Sequence, residues 1–325
     1  MKRMRITVAG ILAISLLLCG CGAMEAVEQD GTEDGKAVQA EDIQDENIVE
    51  APRPVENVES KQEEIRVDEE ASQEMAEEVL QTQETEQLAG ATLSILGDSI
   101  STYQGYNPEG YHVFFPEYGA VKELGDTWWQ IVTGDMDLEI YVNGSSSGAT
   151  VAGDSTGTED PQCACNELRT NALAGPGGAC PDRIIVYLGT NDLLETVRLG
   201  DNDGTDAVPA GEIDTFSDAY TLMLDKLQAN YPSARIYCCT LLQVGDYGTQ
   251  TPYVEFVNGA GLTAADYGEM IIRIAENRGL PVIDLYNCGV TIENLQEMTS
   301  DGVHPTAAGM RQIAAAVEEA LVGEK

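Results

Sequence analysis

Ile184-Ile185-Val186-Tyr187-Leu188 runs straight into Gly189-Thr190-Asn191-Asp192, and the reading of this stretch decides the fold. Five large apolar residues in a row leave no polar face. A strand built from them must be covered on both sides, as in a parallel sheet held between two helical layers. The glycine and the three polar residues that follow punctuate its end. Comparable runs occur at 93–96, 138–142, 235–242 and 281–286. Between them the apolar period lengthens to that of a helix. Phe216, Ala219, Met223, Leu227 and Tyr231 share one helical face, Tyr267, Ile271 and Ile274 another, and Met310, Ile313, Val317 and Leu321 a third. Thr263 is placed to cap the second of these helices with Asp266 three positions on, and Gly279 to end it. Strands alternating with helices predict one three-layer α/β domain of about five parallel strands, spanning 91–325.

In open sheets of this kind, ligands bind beyond the carboxyl ends of the strands. Four of the five predicted strand ends carry polar or glycine-rich blocks: Gly97-Asp98-Ser99-Ile100-Ser101, Asn143-Gly144-Ser145-Ser146-Ser147-Gly148, Gly189-Thr190-Asn191-Asp192 and Asp301-Gly302-Val303-His304-Pro305. Each alone reads as a turn, since Gly, Asp, Asn and Ser are turn residues. Four in sequence order, each at the ligand-binding end of a strand, read as a site.

The set resembles the SGNH, or GDSL, hydrolase superfamily over essentially all of 91–325. Gly97-Asp98-Ser99 matches its nucleophile block, Gly189-Thr190-Asn191-Asp192 its Asn block, and Asp301-Gly302-Val303-His304 its DxxH block. The resemblance implies a flavodoxin-like sheet and a Ser99-His304-Asp301 triad for acyl transfer from an ester. The residue types agree. A serine hydroxyl is a weak nucleophile until a base lies within hydrogen-bond reach. The chain has two histidines, His112 and His304. His304 follows Asp301 by three residues, a spacing that lets the carboxylate hold one ring nitrogen while the other faces Ser99. His112 lies in an aromatic insertion and has no such partner.

For the oxyanion hole the resemblance implies the Ser99 N–H, a backbone N–H of the second block and the Asn191 amide. The second block departs from pattern. Aligning Ser147-Gly148 on the usual Ser-Gly puts Ser145 at the glycine position, with Gly144 the alternative. Nothing in the sequence asks for a cofactor: P-loop and dinucleotide fingerprints are missing, and the cysteines lack paired zinc spacing. A disulfide is expected among Cys163, Cys165 and Cys180, with Cys238 and Cys239 in the core. Asp201-Asn202-Asp203-Gly204 with Asp206 misses the EF-hand register and reads as a solvated turn.

The insertion at 103–129 holds Tyr103, Tyr106, Tyr111, Phe114, Phe115, Tyr118, Trp128 and Trp129. Such a rim suits sugar rings, whereas Trp128 and Trp129 also sit where a helix would begin and pack inward. Acetylated carbohydrate is therefore the expected substrate. A lipase or thioesterase on the same fold, and a non-catalytic glycan-binding lipoprotein, are the alternatives left open.

The formal net charge is −39, which excludes a phosphate-binding basic surface. Residues 1–21 contribute +3, residues 22–90 contribute −18 and the rest −24. Met1-Lys2-Arg3-Met4-Arg5 and the apolar run behind it form a secretory signal. Leu18-Cys19-Gly20-Cys21 resembles a bacterial lipoprotein cleavage box, with Cys21 the lipidated residue. Residues 22–90 contain no aromatic side chain and are dense in Glu, Gln and Asp. That composition cannot offset the entropy of ordering, so it predicts a disordered tether between the membrane and an exported domain.

Overall fold

The computed structural model describes residues 88–246 and 252–323. The expectations of a signal peptide, of lipidation at Cys21 and of a disordered tether lie outside the described residues. In chain order the described elements are β1 (Thr92–Gly97), α1 (Trp128–Asp135), β2 (Glu139–Asn143), β3 (Gly153–Asp154), α2 (Glu167–Thr170), β4 (Arg183–Tyr187), α3 (Thr190–Leu194), β5 (Glu212–Ile213), α4 (Phe216–Asn230), β6 (Arg235–Cys239), α5 (Ala264–Asn277), β7 (Val282–Ile283), α6 (Leu295–Met298) and α7 (Ala307–Val322).

The main sheet has the order β2-β1-β4-β6-β7, and every pairing in it is parallel. β3 and β5 form a separate antiparallel pair. Numbered within the main sheet alone, the order is the 2-1-3-4-5 of flavodoxin-like folds, whose chain reverses direction across the sheet beside β1. The doubly apolar run at 184–188 does what its composition predicts. Ile184, Val186 and Leu188 face one core, with α4 and α5; Ile185 and Tyr187 face the other, with α1 and α7. All five are buried.

The helix signals also hold locally. Thr263 and Asp266 form a reciprocal capping box on α5, and Gly279 follows the helix end with φ +64°. The last strand is much shorter than its apolar run, because only Val282 and Ile283 pair with β6 before the chain turns away. In the insertion, Phe115, Trp128 and Trp129 are core residues rather than rim, since α1 packs both indoles inward. The exposed aromatics there are Tyr106 and Tyr118.

Candidate active site

β1 and β4 lie side by side with Gly97 opposite Tyr187. The register therefore delivers the blocks after these strands to the same edge, at the point where the strand order reverses. β2 pairs on the other side of β1, with Ile95 opposite Asn143, and so brings the second block alongside. Asp98 leaves β1 and caps a 3-10 turn, Ser99–Ser101, its Oδ1 accepting the Ile100 N–H at 3.0 Å. Gly97 is required by close approach: a Cβ there would stand 2.7 Å from Ser145 Oγ. Trp128 Nε1 donates to Ser101 Oγ at 3.1 Å, and Asn143 Nδ2 donates to the Ser101 carbonyl at 2.7 Å. Both tie the Ser99–Ser101 turn to its neighbours.

His304 Nε2 lies 2.9 Å from Ser99 Oγ, and His304 Nδ1 lies 2.8 Å from Asp301 Oδ2. The other carboxylate oxygen, Oδ1, accepts the N–H groups of Val303 and His304 at 3.0 and 2.8 Å. One carboxylate thus fixes both the loop and the ring it carries. Burial pushes the Asp301 pKa up, but the hydrogen bond and charge of His304 and the two N–H bonds outweigh it and hold the carboxyl below its ordinary value. Phe114 stacks flat on the imidazole, with ring centroids 3.7 Å apart and planes 10° from parallel. Its own N–H donates to Thr102 Oγ1, which donates in turn to the Ser99 carbonyl.

The N–H groups of the second block are unequal. Gly144 donates to the Ile95 carbonyl at 2.8 Å, Ser146 to the Gly97 carbonyl at 3.1 Å, and Ser147 to the His112 carbonyl at 2.8 Å. Ser145 N–H lies 3.3 Å from Asn143 Oδ1, beyond the usual range for such bonds. Asn191 Nδ2 donates to the Ala149 carbonyl at 3.0 Å and lies 3.5 Å from Asp98 Oδ2. Behind it, buried Asp192 accepts the N–H groups of Val151 and Ala152 at 2.8 and 3.2 Å. Burial raises Asp192 to about 7, against those bonds. Burial also raises Asp98 to about 6, against its Ile100 N–H bond and the charges of His304 and Arg169.

Ser99, His304, Asp301, Asn191 and Ser145 thus meet at one edge of the sheet. His112 is exposed, and its Nδ1 lies 2.9 Å from Gln162 Nε2. Two contributors give no signal in the sequence. Phe114 is one of many aromatics in its segment, and Arg169 lies in the four-residue helix α2, which no sequence pattern singles out. Arg169 is fully buried and donates to the carbonyls of Gly144, Gly97 and Pro161 at 3.1, 2.8 and 2.5 Å. Burial lowers its pKa to about 10. The expected disulfide among Cys163, Cys165 and Cys180 is not formed. Cys163 and Cys165 face each other as free thiols 3.5 Å apart, and Cys180 donates to its neighbour's carbonyl. Among the described residues no cluster of His, Cys, Asp or Glu is arranged for a metal ion.

Residues 91–251 match the family model of the GDSL-like lipase/acylhydrolases. No curated protein matches the chain. Among solved structures, a protein of Lactobacillus plantarum is 23% identical with a TM-score of 0.55, over 73% of this chain and 99% of that one. Proteins named as GDSL-like lipases from Bacteroides ovatus and Bacteroides uniformis are each 24% identical. Their TM-scores are 0.51 and 0.52, over 71% and 72% of this chain and 97% of each of those. These likenesses agree with the parallel sheet and its flanking helices. Over residues 91–251 the sequence is thus that of a GDSL-like lipase/acylhydrolase, and the fold of the solved structures agrees with it.

Proposed function

We propose that this protein is a serine esterase acting outside the cytoplasm from a lipid anchor at Cys21, with short acyl esters, acetyl esters of carbohydrate foremost, as its substrates. The observation that carries the catalytic part is the unbroken run of hydrogen bonds Asp301–His304–Ser99 at 2.8 and 2.9 Å. In this reading Ser99 Oγ attacks the ester carbonyl carbon while His304 Nε2 takes its proton. The tetrahedral oxyanion is held by the N–H groups of Ser99 and Ser145 and by Asn191 Nδ2. Ser145 is favoured over Gly144 because the Gly144 N–H is committed to the Ile95 carbonyl. Collapse expels the alcohol, protonated by His304. Water, deprotonated by the same imidazole, then releases the acid and restores Ser99. Asp301 keeps the ring in the tautomer that this shuttle needs and balances the imidazolium. No cofactor enters these steps.

The acetyl-carbohydrate part rests on the exposed rings of Tyr106 and Tyr118 in the insertion and on a charge balance that repels anionic esters. The anchor and export rest on the N-terminal sequence alone. The test is hydrolysis of p-nitrophenyl acetate and decanoate, and acetate release from O-acetylated xylan, by the full-length protein and its Ser99→Ala variant. The expected result is acetate turnover that falls by about 10³-fold or more in the variant. Preference for decanoate would make the protein a lipase or thioesterase instead. Equal turnover by both proteins would remove the serine mechanism.

A further inference from the structure

Arg169 is a cation in the wrong place for stability alone. It is fully buried, and among the described residues no carboxylate forms an ion pair with it. Burying an unpaired charge is costly unless hydrogen bonds replace its water. Here the replacements are three backbone carbonyls, and their identities matter more than their number. Nη2 holds the Gly97 carbonyl, one peptide before the unit that carries the Ser99 N–H. Nε holds the Gly144 carbonyl. The Gly144 C=O and the Ser145 N–H belong to the same peptide unit, which is planar and trans.

That shared plane has two effects. Fixing the oxygen on one side fixes the direction in which the Ser145 N–H points on the other. A charged donor on the oxygen also draws electron density toward it, which makes the N–H of that amide a stronger donor. The same guanidinium grips the end of β1, so both halves of the oxyanion site are referenced to one rigid planar fork. Lysine cannot reproduce this, because its ammonium is a point donor without the fork's fixed spacing. The surroundings keep the fork in register. Asn166 caps α2 by accepting the Arg169 N–H at 2.9 Å, and the Tyr111 ring from the insertion lies 5.4 Å from the guanidinium carbon.

We infer that Arg169 is a positioning residue of the oxyanion hole, orienting and polarising the Gly144–Ser145 peptide and locking it to the Gly97 end of the nucleophile strand. It touches no substrate and acts through Ser145 and Ser99; the inference rests on the serine-esterase reading.

The test uses full-length wild type, Arg169→Met, Arg169→Lys and Ser99→Ala. For each protein, active sites are counted by labelling with a fluorophosphonate and folding is followed by thermal melting. Kinetics on p-nitrophenyl acetate are expressed per labelled serine, alongside inhibition by a trifluoromethyl ketone that forms an oxyanion on attack. The expected result is a kcat lower by about a hundredfold in Arg169→Met and about tenfold in Arg169→Lys, with KM within about threefold of wild type. One lost oxyanion donor typically costs about 10²–10³-fold, which sets the upper limit for an indirect effect. The ketone should weaken in step with kcat/KM. If Arg169→Met fails to fold, Arg169→Lys decides alone. Unchanged kcat per labelled serine in the folded variants would overturn the role of Arg169 while leaving the esterase reading standing. So would a rise in KM that accounts for the whole loss. Full activity in Ser99→Ala would overturn both together.

Discussion

The face of the His304 ring is covered by the stacked Phe114 ring, and the ring edges meet Ser99 and Asp301. The imidazole is therefore held by three independent contacts. Stacked aromatic pairs contribute about 0.5–1.5 kcal/mol beyond their burial. Phe114→Ala is expected to lower kcat by a few-fold to about tenfold, and Phe114→Tyr much less, in steady-state assays. Asn191→Ala, which removes a candidate oxyanion donor, should cost about 10²–10³-fold in kcat with little change in KM. Residues of the first kind were hard to read in the sequence and those of the second kind easy. Asn191, Ser99, Asp301 and His304 each stand in a short contiguous block whose chemistry is local. Arg169 acts on carbonyls at positions 97, 144 and 161, groups that every residue possesses and no pattern of side chains reports.

At the scale of elements, the junction between β4 and α3 is tightly constrained. Gly189 turns the chain with φ +120°, and a Cβ there would meet Phe216 and Leu241 at 3.1–3.2 Å. Gly189→Ala is expected to destabilise the fold by about 1–3 kcal/mol, seen as a lower melting temperature, and to reduce activity through displacement of Asn191. The central strands β1, β4 and β6 were legible because burial on both faces forces unbroken apolar runs. The limits of β7 were not, because 281–286 is apolar throughout and only tertiary pairing decides where the ladder stops. The insertion was open to two readings for a related reason. An indole at the start of α1 has the same composition whether it faces a sugar or a core, and here α7 packs against it.

Across the whole molecule, negative charge sets the response to pH. Asp98 and Asp192 are buried and raised to about 6 and about 7. A carboxyl raised on folding binds its proton more tightly in the native state than in the unfolded chain. Stability is then fully present below the unfolded value of about 4 and falls as pH rises through the folded one. Asp301 works in the opposite sense, since its pKa is lowered, and its contribution is lost only in stronger acid. Two raised carboxyls, at about 1.4 kcal/mol per pKa unit, outweigh it between about pH 4 and pH 7. General repulsion among the remaining acids adds to the same trend. The melting temperature should therefore fall as pH is raised from about 5 to about 8, and Asp192→Asn should flatten that slope in scanning calorimetry. A melting temperature that rises over this interval would contradict the burial of these groups.

The hydrogen bond between His304 and Ser99 joins positions 205 residues apart. Synthesis runs in one direction, so the proposed nucleophile is made 205 residues before its proposed base. Until position 304 has been added, a growing chain carries Ser99 without His304 and can hydrolyse nothing by this route. On the proposed mechanism, competence arrives when the Asp301–His304 loop docks beside β1, and fragments ending before position 304 are inert.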